Sequence, residues 1–260
     1  MQSSSSGRRY QVMTDIEREI AFLNARASVL GADGKERGIG TLSEKSLHKI
    51  LKLYIEPNEE FHEVSMLGSV VDIKNESGIY EIQTRSAERL RPKLEKLLPI
   101  SKVTVVLPVA KEKTLRWIDM SSGEISEPRK SPKHETVYHA MRELYKIRAY
   151  LNDPNLSVKL VFLGVEEFRY LNGWDKSGKH GSTRCERIPT KLFDDVIINS
   201  ASDYKAFIPE TLGERFLSKE LCRDAKFPPR IISSVIGVLT KVGAIRAVGK
   251  AGRAYVYEKT

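Results

Sequence analysis

The sequence predicts an α/β fold: a mixed sheet flanked by helices over 14–204, followed by a small module of three helices and a hairpin over 205–260. Three observations carry that prediction. Helical and strand periodicities alternate along 14–204. The apolar run Val103 to Ala110 follows an amphipathic helix that itself follows a strand, which is the β-α-β order of a parallel pair. A fresh pattern, with its own helix starts and a terminal hairpin, begins near Lys205.

Residues 1–13 include a Ser-rich stretch without apolar periodicity and are expected to form a flexible N-terminal lead. Ile16, Ile20, Leu23 and Ala27 form one stripe of a helix over 14–29. Gly31-Ala-Asp-Gly34 leads to a second helix from Thr41, with Leu47, Ile50, Leu51 and Tyr54 inward and a stop before Pro57. Strand-like segments at 61–74 and 79–85 flank the turn Asn75-Glu76-Ser77-Gly78. A helix over 86–98 turns Leu90, Leu94 and Leu97 inward, and Val103 to Val109 reads as a buried strand. A hairpin around Ser122-Gly123, a long helix over 134–151 and a core strand from Val158 to Val165 follow. The stretch 172–189 reads as a Gly-rich polar loop.

Composition narrows the function classes. At 260 residues, with 40% hydrophobic and 30% charged residues, the chain has the make-up of a globular protein with one large domain, or a medium and a small one. No apolar run approaches the length that spans a bilayer, and no apolar segment follows Arg8 and Arg9 as in a secretion signal, so a cytoplasmic protein without membrane association is expected. Cys185 and Cys222 lack metal-ligand spacing and read as free thiols in a reducing compartment. The formal charge of +9 points to polyanionic partners. From Lys205 onward there are eleven Lys and Arg against five Asp and Glu, so the excess is concentrated in the C-terminal module.

The turn at 75–78 pairs Lys74 with Ile79 and therefore sets Asp72 opposite Glu81. Alternation then places Asp72 and Lys74 on one face with Glu81, Gln83 and Arg85, and Val71, Ile73, Tyr80 and Ile82 on the other. Two opposed carboxylates repel unless a cation lies between them. Lys74 and Arg85 would neutralise the pair on a solvated face; alternatively a divalent metal such as Mg²⁺ would sit between the carboxylates, completed by water and phosphate.

Gly68-Ser-Val-Val-Asp72 followed by Glu81-Ile-Gln83 resembles the metal-binding hairpin of the PD-(D/E)XK, or restriction-endonuclease-like, nucleases. The resemblance covers about 40–110 and includes the order helix, strand, strand, helix, strand. It implies a restriction-endonuclease-like sheet, a deoxyribonuclease activity dependent on Mg²⁺ or Mn²⁺, metal held by Asp72 and Glu81 with help from Glu44, and Gln83 orienting the attacking water. This sequence departs from the family in carrying Gln83 where a lysine is usual; certain branches share the Glu-x-Gln variant. Glu44 also fits a capping box, Thr41-Leu-Ser-Glu44, in which its carboxylate would serve the helix start instead. Cleavage of both strands would favour a homodimer.

Lys74 and Arg85 are candidates for contact with substrate phosphate, as are Arg184 and Arg187 in the polar stretch that also holds Lys176, Lys179 and His180. The C-terminal module, with helices marked by Leu212-Phe216-Leu217, by Leu221-Cys222-Ala225 and by Ile232-Val235-Ile236-Leu239, resembles a winged helix-turn-helix. Its third helix would enter the major groove and its hairpin, with the turn Gly249-Lys-Ala-Gly252, would touch the backbone. Arg230, Lys241, Lys250 and Arg253 are the candidate nucleic-acid contacts there. Three functions fit these features: a Mg²⁺-dependent nuclease acting on DNA, a DNA-binding protein whose nuclease-like core has lost catalysis, and an adaptor whose winged helix recruits a protein.

Overall fold

The alternating elements build one mixed sheet of seven strands with helices on both faces. The structure is a computed structural model and describes residues 14–31, 46–173 and 183–260. The N-terminal lead, Glu44, Lys176, Lys179 and His180 therefore lie outside the described residues. Among the described residues no helix is long and apolar enough to cross a membrane, and both cysteines are buried and outside any disulfide.

Helix α1 (Asp15–Leu30) starts at a capping box, in which Thr14 N–H donates to the Glu17 carboxylate at 2.7 Å and Glu17 N–H to the Thr14 hydroxyl. Its expected stripe is reversed. Ile16, Ile20 and Leu23 are exposed, and Phe22, Ala25 and Leu30 are buried, with Phe22 edge-on to Tyr54. The helix carries apolar residues on two sides, and periodicity alone does not say which side a neighbour covers. Helix α2 (Ser46–Ile55) buries Leu47, Ile50, Leu51 and Tyr54 as expected.

The segment read as one strand over 61–74 is a hairpin of β1 (His62–Met66) and β2 (Ser69–Asn75). Leu67 and Gly68 form its two-residue turn, both with positive φ (48° and 72°). A leucine in that position conceals the turn from a sequence reading. β3 (Gly78–Ile82) pairs antiparallel with β2 and ends at Ile82, three residues short of the expected end.

The chain crosses through a 3₁₀ turn, Ala87–Leu90, and α3 (Arg91–Leu97) to β4 (Val103–Ile118), parallel to β3. After β5 (Arg129–Lys130), which pairs with β4 to complete the turn region around Ser122-Gly123, α4 (Val137–Leu144) leads to β6 (Leu156–Tyr170), again parallel to β4. The long helix expected over 134–151 changes to a 3₁₀ segment at Tyr145–Tyr150, kinked at Ile147. β7 (Thr183–Ile198) closes the sheet antiparallel to β6. Residues 183–189 are therefore strand, not loop, and Arg184 and Arg187 sit on it.

β4 is longer than β3, and past Val106 its β3-side edge is vacated. Pro108, which has no N–H to donate, falls on this stretch. Ala110 there bonds instead to Glu135, its N–H to the carboxylate at 3.2 Å and its C=O to the amide at 3.0 Å. The vacated edge creates the cleft described below.

Arg215–Leu217, expected in a helix, is a short strand, β8; α5 (Ser218–Asp224) and α6 (Ile232–Lys241) follow, with a 3₁₀ turn, Pro229–Ile231, before α6. β9 (Ile245–Ala251) and β10 (Ala254–Lys259) form the hairpin, whose turn is Gly252-Arg253, tighter than the expected 249–252. The order of this second sheet is β8-β10-β9. The module has no core of its own. Phe216, Leu221, Ile231, Val235, Val238 and Leu239 belong to the same buried cluster as Met141, Leu144 and Leu94.

Gly237 marks the closest approach, because a Cβ there would lie 2.4 Å from the Tyr145 ring. Gly237→Val is expected to cost about 1–3 kcal/mol through overpacking, read as a lower denaturation midpoint at unchanged slope. A stability equal to wild type would mean that α6 is not seated on Tyr145.

Candidate metal centre and basic cleft

The β2–β3 hairpin fixes the carboxylate pair. Asn75 Oδ1 accepts the Ser77 amide at 3.0 Å, and Gly78 takes φ 131° with its backbone so near Lys102 that a Cβ would fall 2.7 Å from the Lys102 carbonyl. Only glycine fits there. The resulting register pairs Lys74 with Ile79, as the sequence predicted, and Ile73 with Tyr80; just past this ladder the Asp72 carboxylate accepts the Ile82 amide and lies near Glu81.

The surroundings differ from the expected solvated face. Glu81 is only 2% exposed. Both of its oxygens accept from Lys93 Nζ at 2.8 Å. Asp72 Oδ2 accepts the Ile82 amide at 2.7 Å and lies 3.2 Å from His48 Nε2. The partners of the pair are thus Lys93 from α3 and His48 from α2, not Lys74 and Arg85. Lys74 turns back to its neighbour's carbonyl, Asn75 O, at 3.1 Å, and Arg85 has left the strand. The expected core face is also divided: Ile73, Tyr80 and Ile82 pack under α2, whereas Val71 joins Ile79 in the cluster on the other side.

Burial pushes the Glu81 carboxyl up to about 7, reinforced by the charge of Asp72 and opposed by Lys93 and His48. Burial acts on Asp72 in the same direction, but His48, the Ile82 amide and Lys93 together hold it below its ordinary value. Glu81 therefore takes up a proton more readily than an ordinary carboxylate, even beside Lys93. Among the described residues no three His, Cys, Asp or Glu side chains are grouped to hold an ion, so two carboxylates are the donors this pair offers.

Gln83, Thr84 and Arg85 continue from β3 into a cavity of about 430 Å³ along the vacated edge of β4. α4 and the Arg230–Ile231 turn wall it from the other side. Arg184 and Arg187 reach it from β7, and Arg187 Nη2 donates to the Thr84 carbonyl at 2.6 Å. Four of the eight predicted contact residues, Arg85, Arg184, Arg187 and Arg230, thereby meet in one cleft. Arg142 and Lys146 of the helical wall also line it; neither was singled out from the sequence, where both read as ordinary solvated positions of a helix.

Arg184 is oriented by Glu167, a carboxylate with no exposed surface. Glu167 accepts from Arg169 Nε at 2.7 Å, and its Oε2 lies 3.2 Å from Arg184 Nε and 3.7 Å from Lys113 Nζ. Those last two contacts are ionic, since Oε2 has no hydrogen-bond partner of good geometry. Burial opposes ionisation, but Arg184, Lys113 and Arg169 prevail and hold the group below its ordinary value.

The remaining predicted contacts lie apart from the cleft. Lys241 borders a shallow groove with Tyr145, Tyr255 and Tyr257, Lys250 Nζ sits 5.0 Å over the Tyr255 ring, and Arg253 is in the hairpin turn. α6 meets the sheet domain at Gly237 against Tyr145 and at Lys241 O, which accepts from Asn152 Nδ2 at 3.0 Å, while Arg230, Ser233 and Lys241 remain exposed.

A family model described as a domain of unknown function (DUF8091) matches residues 45–199. The chain belongs to the DUF8091 family. An uncharacterized protein of Treponema pallidum (strain Nichols) is 36% identical to it over 182 residues, 70% of this chain and 69% of that protein. No solved structure matches. The DUF8091 match includes His48, Asp72, Glu81, Lys93, Arg184 and Arg187, and ends before Arg230.

Proposed function

We propose that this DUF8091 protein is a DNA-binding phosphodiesterase of the PD-(D/E)XK type, dependent on Mg²⁺ or Mn²⁺, with a winged-helix-like C-terminal module. The observation that carries the reading is the juxtaposition of Asp72 and Glu81 across one hairpin, with Glu81 pushed up to about 7, beside a cleft of arginines. Two hard oxygen donors suit an ion that completes its shell with water and phosphate. When bound, that ion supplies a water of lowered pKa and charge for the phosphate oxygens.

The chain's own residues have distinct parts in this reading. Asp72 and Glu81 hold the ion, with Glu44 added by the family resemblance. Gln83 orients water. Lys93 brings to Glu81 the ammonium that position 83 lacks. The arginines of the cleft bind phosphate. Arg230, Lys241, Lys250 and Arg253 extend contact along the backbone, a sequence-independent mode. The α5–α6 pair and the β9–β10 hairpin support the winged-helix resemblance.

A second reading, a DNA-binding protein with a silent core, is favoured by one observation: Lys93 and His48 already satisfy both carboxylates. Mg²⁺ and Mn²⁺ titrations separate the two. Nicking of plasmid, single-stranded or hairpin DNA, with a metal-induced rise in melting temperature, supports the nuclease. DNA binding that weakens with salt but shows neither effect supports the silent core, and absence of salt-dependent DNA binding removes both.

A further inference from the structure

Glu135 and Glu143 are the carboxylates lining the cleft at the vacated edge of β4, against six cationic side chains: Arg85, Arg142, Lys146, Arg184, Arg187 and Arg230. Glu143 is already engaged by Lys146 Nζ at 2.7 and 2.8 Å and by the Ala87 amide at 3.0 Å. Glu135 is engaged by the Ala110 amide, and Arg184 is paired with Glu167 behind the cleft, so the surplus rests on Arg85, Arg187 and Arg230. Among the described residues Arg85 and Arg230 form no ion pair. Among the described residues the Arg187 side chain donates to the neutral Thr84 carbonyl and forms no ion pair. Like charges held together beside apolar walls repel one another unless an anion joins them.

We propose that this cleft binds a phosphate monoester, the terminal phosphate of a nucleic-acid strand. The nucleic-acid source rests on the function proposed above; the monoester chemistry rests on the cleft alone. A monoester carries about −1.5 to −2 charges near neutrality and three acceptor oxygens, more than the single charge of a backbone diester, and so matches a surplus of guanidinium groups better. A volume of about 430 Å³ accommodates a ligand of nucleotide size but not a duplex. Leu107, Val109, Ala140 and Ile231 provide apolar surface for the adjoining sugar and base. Gln83 lines the cleft two residues beyond Glu81, so a strand end held there lies next to the carboxylate pair, and cleavage is counted from that end.

The test uses the full chain in metal-free buffer and fluorescence anisotropy with single strands of one sequence ending in 5′-phosphate, 3′-phosphate or hydroxyl only. A phosphate at one end is expected to tighten binding roughly tenfold over the hydroxyl-ended strand. Exposed Arg85 and Arg230 are replaced together (Arg85→Ala, Arg230→Ala), with circular dichroism to confirm folding, and the preference is expected to disappear. Equal affinity for all three strands, or a preference untouched in the double variant, overturns the proposal. AMP or inorganic phosphate binding as tightly as the strand end overturns the strand-end source. Glu81→Ala keeps the preference while removing any metal response. A terminal-phosphate preference without metal response or cleavage would defeat the nuclease reading and leave this site standing; cleavage without the preference would do the reverse.

Discussion

Glu167→Gln is expected to lower folding stability by about 3 kcal/mol at neutral pH. The carboxylate is fully buried and faces Lys113, Arg169 and Arg184. The amide keeps the shape but removes the negative charge that Lys113, Arg169 and Arg184 share. Removing one partner of a buried ion pair costs about 3–5 kcal/mol, and the low end applies because Arg169 and Arg184 retain access to water. Since Glu167 is held below its ordinary value, its contribution is fully present above pH 4.5 and fades as pH falls through the lowered folded value. The gap between wild type and variant, followed by urea denaturation across pH, should therefore close in acid. A gap that is constant with pH would show that the loss comes from packing and not from charge. Arg184 would also lose its anchor, so terminal-phosphate binding should weaken in the same variant.

Glu81→Ala should abolish Mg²⁺- or Mn²⁺-dependent cleavage, a fall of at least about a hundredfold, because charge stabilisation by a bound ion is worth several kcal/mol. DNA affinity should persist, since Glu81 does not line the cleft. The fold should tolerate the change as well: the charged form is disfavoured by burial, and Lys93, 27% exposed, can turn to solvent when its partner is removed. Gln83→Lys should keep or raise activity by adding a cation beside the phosphate. Wild-type and variant rates are compared on plasmid, single-stranded and hairpin DNA with either metal. Cleavage that survives in Glu81→Ala would place the active site elsewhere.

The parts of this fold legible in the sequence are those fixed by local rules. The 75–78 turn dictated the pairing of Lys74 with Ile79, and helical spacing identified the inward faces of α2 and α3. What escaped was set by distant neighbours. Residues 183–189 looked like loop because Arg184, Glu186 and Arg187 are charged, yet Arg184 is matched across the sheet by Glu167 and Arg187 by a carbonyl on the far side of the cleft. Lys93 and His48 read as ordinary solvated helix positions until the fold brings them to Glu81 and Asp72. The helix stripe at Ile16, Ile20 and Leu23 failed for the same reason, since the covering partner of Phe22 lies on α2.

The buried cluster shared by the sheet domain and the C-terminal residues bears on how the chain unfolds. The family match stops at residue 199, but the residues that cover the apolar underside of α4 lie beyond it. Met141, Leu144 and Ile147 are covered together with Val235, Val238 and Leu239, so a protein cut at the family boundary would expose an oily strip along its longest crossover. Sequence kinship and folding autonomy part company at that point. Melting should be cooperative across the whole of 46–260, and the C-terminal module is better regarded as the last layer of one folding unit than as an appendage that could be exchanged between proteins.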